Sequence, residues 1–175
     1  HEHGTKQSED EVVFGADAQN KRRYVGGGVT EDGRYLVVSA ANATYGNELY
    51  IADLKKKSLM FKTILGDMKS DAYVMDHEKG KLYIVTDRDA PNKRLVVTTF
   101  KNPTPENWTD VIPETENVLS VSTGAGYIFA SYMKDAVSLI KQYDYAGKLV
   151  RDVSLPGIGT ASGFGTKKGE KEIYY

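Results

Sequence analysis

The 175-residue chain carries 23 Lys and Arg against 24 Asp and Glu, a formal net charge of −1, with 40% hydrophobic residues and no cysteine. That balance suits one globular domain or a few small repeats. It argues against disorder, offers no basic stripe for nucleic acid and no polybasic patch for a membrane, and excludes disulfides and a thiolate zinc site. No apolar run approaches the roughly 20 residues of a membrane span.

In chain order, residues 1–16 read as outer strands of a sheet that begins upstream. The first strand run is GGVTE at 27–31. The turn Asp32-Gly33 leads into RYLVVSA, a polar loop follows, and NELYIADL and SLMFKTIL complete four strands. The cassette then recurs. DAYVMD, the turn Lys79-Gly80, KLYIVTD, KRLVVTTF and NWTDVIP form the second copy. VLSVST, the turn Ala125-Gly126, YIFASYM, VSLIKQYD and KLVRDVSLP form the third. SGFGT, Lys168-Gly169 and EKEIYY read as the first two strands of a fourth. These runs are short, rich in β-branched and aromatic residues and bounded by Gly, Asn, Asp and Pro, and none carries a helical apolar stripe. The chain opens on His1 and stops on the strand-like run Glu172–Tyr175, so both ends read as cut from something longer.

The period identifies the architecture. The turn glycines Gly33, Gly80, Gly126 and Gly169 stand 47, 46 and 43 residues apart. Four strands per repeat of that length is the signature of a β-propeller blade. A blade cannot hide both faces alone, so blades stack around an axis. The sequence predicts an all-β partial β-propeller: complete blades at 26–66, 68–113 and 116–156, a piece of a preceding blade at 1–16, and the start of a following one at 157–175. A β-sandwich is the competing architecture, but it has no reason to repeat one four-strand cassette three times.

Recognisable chemistry is scarce. A hydrolase nucleophile elbow needs Gly-x-Ser-x-Gly, and Gly159-Thr160-Ala161-Ser162-Gly163 has the wrong spacing. Neither Gly26-Gly27-Gly28 nor the glycine-rich run at 157–169 supplies a phosphate loop. Those glycines read instead as room for inner strands to crowd near the axis. His1, His3 and His77 lack metal-ligand spacing, with His77 placed in a hairpin turn. The acidic pairs Glu9-Asp10 and Glu31-Asp32 fall at turns. No metal, cofactor or catalytic set is expected, and the chain reads as a scaffold or binding surface.

Several stretches together resemble the propeller of the prolyl oligopeptidase family of serine peptidases. His1-Glu2-His3-Gly4-Thr5-Lys6-Gln7-Ser8-Glu9-Asp10 is similar to its H-x-x-G-T-x-Q-S-E-D run. Thr30-Glu31-Asp32-Gly33-Arg34-Tyr35-Leu36 is similar to S-x-D-G-R-Y-[LV], and Asn47-Glu48-Leu49-Tyr50-Ile51-Ala52-Asp53-Leu54 to N-x-L-[YW]-x-x-D-L. Thr86 to Leu95 and Trp108 with Ile112-Pro113-Glu114 continue the match in order.

The resemblance implies part of a seven-bladed propeller attached to an α/β-hydrolase domain whose Ser-Asp-His triad cleaves after proline. That domain is absent from these residues, so the chain alone should be inactive. The propeller would admit short proline-containing peptides and exclude folded proteins. Tyr24 falls where the family has an apolar residue lining a substrate pocket. Thr44 falls where some members have a cysteine near the substrate, in a loop here one residue shorter. Specificity at the proline subsite would lie in the hydrolase domain.

A reading from another class is a stand-alone propeller that presents its loops to protein partners. An open arc of blades would also expose apolar faces and favour self-association, with strands exchanged between copies. Nothing in the sequence fixes a compartment; cytoplasm and periplasm both fit.

Overall fold

The structure, a computed structural model, describes residues 3–15 and 24–175. Among them twelve strands form three four-stranded antiparallel sheets. Blade 1 holds β1 (Tyr24–Val29), β2 (Tyr35–Ala41), β3 (Glu48–Asp53) and β4 (Phe61–Leu65). Blade 2 holds β5 (Ala72–Glu78), β6 (Lys81–Thr86), β7 (Arg94–Thr99) and β8 (Thr109–Ile112), and blade 3 holds β9 (Ser120–Gly124), β10 (Tyr127–Lys134), β11 (Val137–Tyr143) and β12 (Leu149–Val153). Each strand pairs with its neighbours in sequence, from first to fourth.

Strand alternation explains the stacking. In β6, Leu82 and Ile84 enter a core shared with Tyr35, Leu49, Ile51 and Ile64 of blade 1. The intervening Tyr83 and Val85 enter a second core with Ile128, Ala130 and Tyr132 of blade 3. Both sets are almost fully buried, and each such aliphatic side chain contributes about 1.5–3 kcal/mol. A strand apolar on both faces is thus the middle of a stack, with a sheet on either side.

The turns are also decided locally. Lys79-Gly80 and Ala125-Gly126 both have positive φ at each position, the conformation that lets a two-residue hairpin follow the twist of its strands. Asp32-Gly33 belongs to a longer loop. There the Asp32 carboxylate accepts from Thr30 Oγ1 at 2.7 Å and Arg34 N at 3.1 Å, and Arg34 reaches Asp53 at 2.8 Å.

The two flanks differ from expectation. Residues 3–15 contain a 3-10 turn at Gln7–Glu9 and no strand; residues 1, 2 and 16 lie outside the described part. Nothing within the described residues pairs with this segment as a sheet. It docks instead through Phe14, whose ring lies 5.0 Å from Tyr50 and 5.3 Å from Phe61. Residues 157–175 likewise form no strand. The chain does turn back at Lys168-Gly169, where Glu170 N bonds Lys167 O at 3.1 Å, but a lone hairpin is marginal. This segment attaches through Phe164, buried against Phe129 and Ile140, and through Thr166 N to Thr123 O at 3.0 Å.

Candidate functional site

The first strand of each blade faces the axis, and two adjoining cavities lie there. A cavity of about 350 Å³ is bounded by Gly26, Gly28, Val37, Tyr73, Met75 and Thr123, drawing on β1, β2, β5 and β9. A wider one of about 580 Å³ adjoins Glu31, Tyr73, Met75, Thr123, Thr166 and Lys167. Gly26 and Gly28 are not crowded: an added Cβ at either would meet nothing within 4 Å. Crowding explains other glycines. At Gly46 (φ +77°) a Cβ would sit 2.0 Å from the Met68 carbonyl oxygen, and at Gly124 it would sit 2.7 Å from that of Phe164.

Tyr24 and Thr44 lie at the same end of blade 1. Tyr24 opens β1 opposite Ala41 and is 73% exposed, and Thr44 is exposed in the loop that leaves Ala41. Neither lines the two axial cavities. At this end the loops bind one blade to the next. Asn47, buried, donates Nδ2 to Ala72 O and accepts from Ala72 N, while Gly46 N donates to Asp71 Oδ1. A smaller cavity of about 290 Å³ opens beside this clamp, lined by Asn47, Asp71, Tyr73, Asp87 and Lys93.

The opposite end of the axis is ionic. Asp76 is buried and faces Lys168 Nζ at 3.0 Å and the Tyr145 hydroxyl. Lys168 also reaches Glu78 at 3.0 Å, and its backbone N–H donates to Glu31. His77 Nδ1 lies 2.6 Å from Asp32 Oδ2. Burial raises the Asp32 carboxyl, but hydrogen bonds from Thr30, Arg34 and His77 outweigh it and hold it down at about 2. Burial and the bond to Asp76 push the Tyr145 phenol far up, so it stays a protonated donor.

His77 is therefore a strand residue at a blade junction, with the turn two residues later at Lys79-Gly80. Asp76, Tyr145 and Lys168 carry no motif. Only their meeting in space marks them, with Tyr145 reaching Asp76 across 69 residues of chain and Lys168 reaching it from farther still. Among the described residues no group of three or more His, Asp or Glu side chains could hold a metal ion.

The model of the prolyl oligopeptidase N-terminal β-propeller domain matches residues 1–175. The chain belongs to the prolyl oligopeptidase family. A prolyl endopeptidase of Elizabethkingia meningoseptica is 58% identical over all 175 residues, which span 24% of that protein. One from Dictyostelium discoideum is 28% identical over 174 residues, 89% of this chain and 23% of that protein. Among solved structures, one from a structural and mechanistic analysis of two prolyl endopeptidases superposes with a TM-score of 0.86 at 28% identity, covering 99% of this chain and 25% of that one. The chain thus spans about a quarter of the prolyl oligopeptidase relatives it matches, and what it contributes is propeller.

Proposed function

We propose that this propeller segment forms part of the wall of a chamber in a proline-specific serine endopeptidase. Short proline-containing peptides pass it to reach a Ser-Asp-His site on an α/β-hydrolase domain elsewhere in the full-length protein. The observation that carries this reading is the axial cavity where the inner strands of all three blades converge, in a chain whose relatives are prolyl endopeptidases. Blade stacking makes that wall rigid, so extended peptides fit and folded proteins do not.

Tyr24 and Thr44 are both exposed at one end of blade 1, and this reading assigns that end to the side of the hydrolase domain. Tyr24 offers an exposed aromatic face and a hydroxyl to a substrate side chain. Thr44 offers a hydroxyl where a cysteine would confer sensitivity to thiol reagents, and the chain has no cysteine to replace it.

Assay of the full-length protein beside the 175-residue chain tests this reading. Cleavage of a short blocked peptide after proline is expected from the first and none from the second. Cleavage by the 175-residue chain, or a full-length protein without peptidase activity, would overturn it. The second result would favour a propeller that serves as a protein-interaction module.

A further inference from the structure

The inner strand of blade 2 carries an irregularity with a functional reading. Along β5, Val74 stands opposite Ile84, but the next pair is Asp76 with Tyr83, so Met75 is an extra residue. One extra residue reverses the side to which every later side chain points. Asp76 therefore shares the face of Tyr83, turned to blade 3, and His77 shares the face of Leu82, turned to blade 1. In an unbulged strand the two would be exchanged, and both would point away from the partners they have.

Those partners come from every neighbour. Towards blade 3, Asp76 accepts from the Tyr145 hydroxyl through one oxygen. Through the other it accepts from Lys168 Nζ at 3.0 Å and from the His77 backbone N–H at 2.7 Å. Tyr145 is held in turn: its ring meets Tyr83 edge-on at 5.1 Å, and its carbonyl accepts the Tyr83 hydroxyl at 2.7 Å. Towards blade 1, His77 meets Asp32 at 2.6 Å and sets its ring edge-on to Tyr35 at 4.8 Å. Just before this pair, Tyr73, Val74 and Met75 line both axial cavities, as does Glu31, which takes the Lys168 N–H at 3.0 Å.

We propose that Asp76 and His77 form a two-sided latch that holds the axial opening at its working width and so sets the length of peptide admitted. The proposal rests on the peptide-chamber reading above. A latch of this kind acts on access: its loss widens the opening without touching the chemistry of cleavage.

The full-length protein tests this with Tyr145→Phe, which keeps the ring but removes the hydroxyl from Asp76, and with Asp76→Asn, which keeps the shape but removes the charge facing Lys168. The readout is the kcat/KM for an unstructured proline-containing peptide of about 30 residues divided by that for a blocked dipeptide substrate. Both variants should raise this ratio about fivefold or more, with the short-substrate value within about twofold of the parent. An unchanged ratio in both variants, or equal losses on both substrates, overturns the latch. Should the parent protein fail to cleave after proline, the chamber reading falls. Hydrogen exchange in the same variants then decides the latch. Segments covering β1, β5 and β9 should exchange about tenfold faster than in the parent, and unchanged exchange overturns it.

Discussion

Asn47 and Ala72 exchange two hydrogen bonds across the junction of blades 1 and 2. Asn47 Nδ2 donates to the Ala72 carbonyl at 2.9 Å, and the Ala72 N–H donates to Asn47 Oδ1 at 2.8 Å. The amide side chain stands in for a strand backbone at a place where β3 and β5 cannot form a ladder. Truncation would leave a buried donor and a buried acceptor unmatched. Asn47→Ala is expected to destabilise the propeller by about 2–4 kcal/mol, read as a lower midpoint in denaturant unfolding of the full-length protein. Asn47→Asp should do nearly as much damage, since a carboxylate cannot donate to the Ala72 carbonyl.

Gly46, one residue earlier, gives a contrast with Gly26. Gly46 sits at φ +77° with the Met68 carbonyl where a Cβ would go, whereas Gly26 has ordinary φ and open space. Gly46→Ala should cost more than about 2 kcal/mol through strain and steric overlap. Gly26→Ala should be neutral or stabilising by up to about 1 kcal/mol, because a strand glycine loses entropy on folding that alanine does not. Paired unfolding curves distinguish the two.

The Asp32 carboxyl, ordinarily near 3.8, lies at about 2 in the folded chain. A depressed folded value contributes stability above the unfolded pKa, and that contribution is lost as pH falls through the interval from about 3.8 to about 2. In acid titrations followed by tyrosine fluorescence, Asp32→Asn should flatten the part of the profile within that window. An unaltered profile would show that His77 and Thr30 do not hold the carboxylate as the geometry indicates.

The 175-residue chain expressed by itself is expected to self-associate. Val25 and Val29 on the outermost face of blade 1, Leu149 and Val150 on β12, and Ile158 are all exposed, and β1, β4, β5, β8, β9 and β12 are sheet edges. Light scattering at rising concentration should report mass beyond one chain. A constant monomer mass would refute this.

Much of the fold is written in the local sequence. The repeat of Gly33, Gly80 and Gly126 marks the hairpins, and runs such as Leu82-Tyr83-Ile84-Val85, apolar on both faces, mark strands buried on both sides. Asp135-Ala136 also turns with positive φ at both residues, but without glycine nothing in the sequence announces it. The flanking residues 3–15 and 157–175 form no strand among the described residues, because strand propensity in a run such as Glu172–Tyr175 needs a partner strand to express itself. The axial polar network was illegible for a related reason. Counting residues along β5 puts Asp76 and His77 on the wrong faces unless the bulge at Met75 is known. Tyr24 and Thr44 were located by resemblance alone, and neither has a spacing that would single it out.

The most direct test of the central claim is the cleavage position in a matched pair of substrates. The full-length protein should cut a short peptide on the carboxyl side of its proline, as mass spectrometry of the products would read, and should leave the same segment intact within a stably folded protein. Cleavage of both at equal rates, or of the peptide at bonds other than those following proline, would contradict a propeller that guards a proline-specific site.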